Sequence, residues 1–197
     1  MKDREKILRY FAATGEEAKE MAIRLLDIAD TVDRGRPFAV GPFMSPFAAQ
    51  VGQTVAAHMN TVTVQISGGY HEAERIRVAF LRNDYEGPVD FGMTALSVTW
   101  DDRYRLIGHR DVLGSLMGLG IERSVLGDIL MQGAGCQIVA DAGIAEWLIQ
   151  NFVKVAMVPV HVEEIPLSEL TPPVKTPKEV KATVASLRLD CLLYTSD

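Results

Sequence analysis

The chain has little cysteine, no lysine through most of its length and no long apolar run, and each absence excludes something. Cys136 and Cys191 are the only cysteines in 197 residues, with no CxxC pair and no histidine spacing suited to zinc. A disulfide framework and a metal site are therefore not expected. The longest uncharged apolar stretch, Val112 to Ile121, falls far short of the roughly 18 residues that suggest a membrane span. The first residues, MKDREKILRY, are charged from the second position and lack the apolar segment of a secretory signal. Excess positive charge is missing too. The net charge of -6 and pI near 5.3 argue against duplex binding driven by bulk charge, although an acidic body can still carry a local basic face. What remains is ordinary for a globular protein: 48% hydrophobic and 23% charged residues, in a chain long enough to bury one or two cores.

The first third reads as helix. Ile7, Leu8 and Phe11 mark a short amphipathic segment, and Thr14 with Glu17 has the form of a T-x-x-E capping box. Ala18, Met21, Ala22, Leu25, Leu26 and Ala29 recur at helical spacing until Gly35 and Pro37 end the run. Ser45-Pro46 signals a second start, with Phe47, Val51, Val55 and Met59 along one face. The period then changes to two. Val62, Val64 and Ile66 predict one strand, and Ile76, Val78 and Phe80 predict another, on which Arg75 and Arg77 face away from the core.

From Phe91 to Leu167 the expected order is β-α-β-β-α-β. Strands are predicted around Leu96–Trp100, Asp128–Gln132, Cys136–Ala140 and Val158–Val162, with helices at Asp111–Leu119 and after an N-cap at Asp141. That order is the split βαβ, or ferredoxin-like, arrangement. The fold class expected is α+β. Residues 1–90 form a helical region with a β-hairpin, 91–167 a ferredoxin-like (RRM-like) domain, and 168–182 an extended, mobile linker carrying Pro172, Pro173 and Pro177.

Basic charge between Lys19 and Lys154 is carried by arginine alone, including Arg75, Arg77, Arg110 and Arg123. A guanidinium can fork onto a phosphate and stack on a base, which an ammonium cannot. The competing reading pairs these arginines with nearby Glu72, Glu74, Asp111 and Glu122. His109-Arg110-Asp111 does not suit a catalytic pair, because adjacent helical residues do not face each other. A helix start there could instead hold an anion, or the three residues could be structural. Gly114, Gly118 and Gly120 lack the GxGxxG or GK[ST] pattern, so close helix packing is their expected role. Cys136–Ala140 lacks the stacking aromatics of an RNA-binding RRM strand. Any RNA contact by this domain is therefore expected through shape and phosphate.

Three segments, GGYHEAERIR (68–77), IGHRDVLGSLMGLGIERSVLGDIL (107–130) and TVASLRLD (183–190), resemble in order and spacing the YlmH family of S4-domain RNA-binding proteins. The resemblance implies a cytoplasmic, non-enzymatic protein without cofactor, metal, membrane or small-molecule substrate. Its implied partner is RNA, ribosomal RNA or tRNA, on the large ribosomal subunit carrying a stalled nascent chain. It also implies a C-terminal S4 domain. After Arg188-Leu189-Asp190 the chain reads CLLYTSD and departs from the family pattern, so residues 183–197 are expected to be the truncated start of that domain, with Arg188 alone left of its surface. The candidate RNA-binding residues are Arg75, Arg77, His109, Arg110, Arg123 and Arg188, with no catalytic residue. The alternative is a protein-interaction module that docks a partner through the ferredoxin-like sheet.

Overall fold

The computed structural model describes residues 2–68, 75–101, 103 and 106–173. Helix α1 (Lys2–Ala12) and helix α2 (Glu16–Asp33) form an antiparallel hairpin. The expected capping box is replaced by another arrangement. Gly15 precedes α2 at φ 131°, a conformation that side chains rarely adopt. The Thr14 hydroxyl donates 2.8 Å back to the Phe11 carbonyl, where α1 ends. Glu16 and Glu17 then complement the positive end of α2. Helix α2 buries Ala18, Ala22, Leu25, Leu26, Ala29 and Val32, as its periodicity predicts. Pro46 leads into helix α3 (Phe47–Met59), which buries Val51 and Val55 but leaves Phe47 at its exposed start.

These helices cover one face of a three-stranded antiparallel sheet in the order β1 (Phe38–Val40), β3 (Ile76–Arg82), β2 (Val62–Gly68). Strand β1 is too short, at three residues between Pro37 and Gly41, to show a period in sequence. Ile76, Val78 and Phe80 enter the core beneath the helices. The residues between them, Arg77, Ala79 and Leu81, are buried as well. The central strand is thus covered on both faces.

The second module runs through β4 (Met93–Trp100), α4 (His109–Gly118), β5 (Leu126–Gln132), β6 (Gly135–Asp141), α5 (Ala145–Asn151) and β8 (Val158–Ile165), with a two-residue strand β7 (Lys154–Val155) before the last. The spatial order is β5-β6-β4-β8-β7, and every pair is antiparallel. Leu96, Val98, Cys136, Ile138 and Val162 on one sheet face join Val112, Leu116 and Leu148 from the two helices in a second core. Ala95, Leu130 and Val139, of opposite strand parity, are buried but belong to neither helix-covered core.

The outer sheet face is covered in part by the segment after β8, where residues 169–172 of the expected linker hydrogen-bond to the sheet. Gln137 on β6 accepts from the Thr171 amide at 2.8 Å and donates to the Glu169 carbonyl at 3.1 Å. Gln132 reaches the carbonyls of Thr171 and Pro172. Residues 174–182 of the expected linker, the S4-like segment and Arg188 lie outside the described residues. Among the described residues no helix is long and apolar enough to cross a membrane, and no group of three metal-ligating side chains occurs.

Burial alone pushes the Cys136 thiol up to about 12, so little thiolate exists at neutral pH. In a Cys191→Ser chain, a thiol-disulfide reagent at pH 8 should label no cysteine until denaturant is added. Prompt stoichiometric labelling of the folded chain would place Cys136 outside the core.

Candidate nucleic-acid interface

The two sheets meet at a seam built by β3, β5, β6 and the turn after β1. The Phe43 amide donates to the Ser124 carbonyl at 3.0 Å. The Arg75 amide donates to Asp128 Oδ1 at 3.0 Å. The Phe43 ring lies against Gly127, where even a Cβ would come within 2.8 Å of it. Asp128 is buried, so its carboxylate is held in a setting where a partner is required.

Arg77 fastens the seam. Its Nε donates to the Gly41 carbonyl at 2.9 Å, its Nη1 to the Phe91 carbonyl, and its Nη2 to Asp141 Oδ2 at 3.0 Å. The guanidinium carbon lies 5.0 Å from the centre of the Phe43 ring, a cation–π distance. Only 8% of the residue is exposed. Arg77 therefore does not lie on an open side of β3 available to RNA, contrary to what alternation along the strand predicts. The face opposite the helices is covered by the second module, and each nitrogen of Arg77 already has an acceptor. Asp141 does two jobs: Oδ1 accepts from the Gly143 amide at 2.9 Å, the predicted cap, while Oδ2 holds Arg77.

Arg75 is placed differently. Its Nη2 donates to the Phe43 carbonyl at 2.6 Å, but its buried Nε has no acceptor. Burial, and after it the charge of Arg123, hold the Arg75 guanidinium below its ordinary pKa, while Asp128 acts in the opposite direction. Arg75, His109 and Arg123 line one small notch together with Leu113, Leu126, Gly127 and Ile129. Three of the residues singled out from sequence, distant along the chain, thus converge. Arg75 also borders a cleft of about 500 Å³ that touches Arg24, Phe43, Ser45 and Ser124.

The remaining positions fit around this seam. His109 is half-buried and Arg110 exposed in the first turn of α4. Asp111 folds back to accept the Gly108 amide at 3.0 Å, so it caps the helix. Among the described residues Arg24, Arg110 and Arg123 form no ion pair. Asp27, which borders the cleft beside Arg24, is instead bound by Arg4 at 2.7 Å. Sequence reasoning missed Arg24. On α2 it reads as part of a solvated helix face, and only the fold brings it to the cleft.

Comparison with known proteins agrees with this architecture. Residues 17–85 match the family model described as "YlmH, N-terminal", and residues 87–169 match "Putative RNA-binding domain in YlmH". The chain is 35% identical over 133 residues to the Bacillus subtilis "Ribosome-associated protein quality control protein P2", covering 66% of this chain and 51% of that protein. It thus spans about half the length of the curated relative it matches. The solved structure titled "Cell division protein ylmH from Streptococcus pneumoniae" superposes with a TM-score of 0.67 at 23% identity, covering 79% of this chain and 94% of that one; this likeness speaks to the fold. With two adjoining family models covering both of its modules, the chain belongs to the YlmH family.

Proposed function

We propose that this chain binds RNA on the ribosome, through phosphates, along the basic seam between its modules. The observation that carries the reading is the convergence of Arg24 and Arg123 on the two openings beside the partly satisfied Arg75, with Arg110 exposed next to His109; among the described residues none of these three forms an ion pair. The names of the matching RNA-binding domain and of the ribosome-associated relative support the same direction. Ribosomal RNA or tRNA on the large subunit is the partner we infer, with no chemistry performed by the chain, in the cytoplasm. We read the second module as ferredoxin-like, of the RRM-like kind, from its β-α-β-β-α-β order. An RRM stacks bases on the open face of its sheet. In this chain Arg77, Phe43 and residues 169–172 occupy parts of that face. Contact at the seam, by phosphate, is the alternative left to it. The same covering disfavours the sheet as a docking surface for another protein.

The test is binding to tRNA and to ribosomal RNA over a salt series, beside ribosome co-sedimentation. An Arg24→Ala/Arg110→Ala chain should lose affinity across all RNAs, and the log–log salt slope should fall by about 0.7–0.9 for each phosphate contact removed. Both side chains are exposed and form no ion pair among the described residues, so stability should be little changed. An unchanged slope and unchanged co-sedimentation would remove the seam from the RNA interface.

A further inference from the structure

We propose that the notch between Arg75, His109 and Arg123 is a phosphate-binding site that admits one non-bridging oxygen of an RNA phosphodiester. The source of the phosphate rests on the RNA reading above; the site itself does not.

The first argument is an unmade hydrogen bond. Among buried side-chain nitrogen and oxygen atoms of the described residues, Arg75 Nε alone has no partner. A charged donor left without an acceptor is costly, and the Arg75 guanidinium is incompletely satisfied at this seam. The second argument is space. The notch measures about 10 Å³, room for about one oxygen atom. A whole phosphate does not fit inside, but one of its oxygens does, with the rest outside toward Arg123.

Charge decides between a water and an anion. A trapped water would not relieve the repulsion between Arg75 and Arg123. Asp128 relieves it in part, while also accepting the Arg75 amide. An anion between the two guanidinium groups relieves the repulsion further, and phosphate suits the fork of donors that arginine offers. His109 is the first residue of α4, so the notch also lies at the positive end of a ten-residue helix. The site is composite: Arg75 comes from the first module, and His109 and Arg123 from the second.

Inorganic phosphate is the first probe, titrated against the 197-residue chain with potassium chloride of equal ionic strength as control. At roughly five times the Kd the Tm should rise by about 2–4 °C. Arg123→Ala should abolish the rise and His109→Ala should reduce it, whereas Arg34→Ala, far along α2, should leave it intact. Because Arg123 is exposed and forms no ion pair among the described residues, its loss tests the site without unfolding the chain. In the RNA arm, Arg123→Ala should lower the salt slope by about one further contact. No Tm rise beyond the chloride control would overturn the site and leave a trapped water only. If RNA binds but Arg123→Ala changes neither phosphate stabilisation nor salt slope, the site falls while the RNA reading survives. If phosphate stabilises through Arg123 and no RNA binds, the site stands with free phosphate as its ligand, and the RNA reading falls.

Discussion

Replacement of Arg77 by alanine should destabilise the chain by about 3 kcal/mol, and calorimetry should show the Tm lower by roughly 6–12 °C. The substitution removes every donor that Gly41, Phe91 and Asp141 share at the seam, together with the cation over Phe43. Removal of one partner from a fully buried ion pair costs about 3–5 kcal/mol. The lower end applies because the Asp141 side chain keeps 31% of its surface in water and can be resolvated when Arg77 is gone. Arg77→Lys should recover little, since a single ammonium cannot serve three acceptors set around a planar fork. A double-mutant cycle with Asp141→Asn isolates the ion pair from the other bonds. A Tm within 2 °C of the parent for Arg77→Ala would show that the seam is held by apolar packing alone.

Arg77 also shows where sequence reading stops. Local signals were sufficient for α2, whose apolar residues recur every three or four positions, and for β3, whose alternation set Arg77 opposite Phe80's face. Alternation says which residues share a face; it does not say what covers that face. The acceptors of Arg77 lie 14, 36 and 64 positions away, and nothing local marks them. Phe43, in a short turn between β1 and α3, likewise gives no periodic signal, yet its ring fills the space above Gly127. Thr14 failed as a predicted cap because the hairpin between α1 and α2 needs a glycine at φ 131° immediately before α2. Gln137 reads as an exposed strand residue, and only the fold brings Thr171, 34 positions later, onto it. The candidate site was legible as a list of arginines with His109. Its division into the structural Arg77, the shared Arg75 and the open Arg110 and Arg123 required the spatial arrangement.

A wedge at the centre of the seam should separate the modules without dissolving either core. Gly127→Val is that wedge. The Cβ alone would lie 2.8 Å from Phe43 Cε1, 3.1 Å from its Cζ and 3.2 Å from Val139 Cβ. The ring has little freedom to move, because the Phe43 amide is bound to Ser124, its carbonyl to Arg75, and its face to Arg77. Val139 is equally fixed in β6, paired with Ala95. Overpacking of this kind costs about 1–3 kcal/mol, and Gly127→Ala should show a smaller loss in the same direction. The helix-covered cores around Leu25 and Val78 in one module, and Leu116 and Ile138 in the other, do not include Gly127. Unfolding of Gly127→Val should therefore lose its single cooperative transition, with the van't Hoff enthalpy falling below the calorimetric one. RNA affinity should fall in the same variant, although Arg24, Arg75, Arg110 and Arg123 are all retained, because Arg75 and Arg123 approach each other only across the closed seam. Retention of full affinity in a chain whose modules unfold separately would mean that each module binds RNA on its own, and that the seam is structural and nothing more.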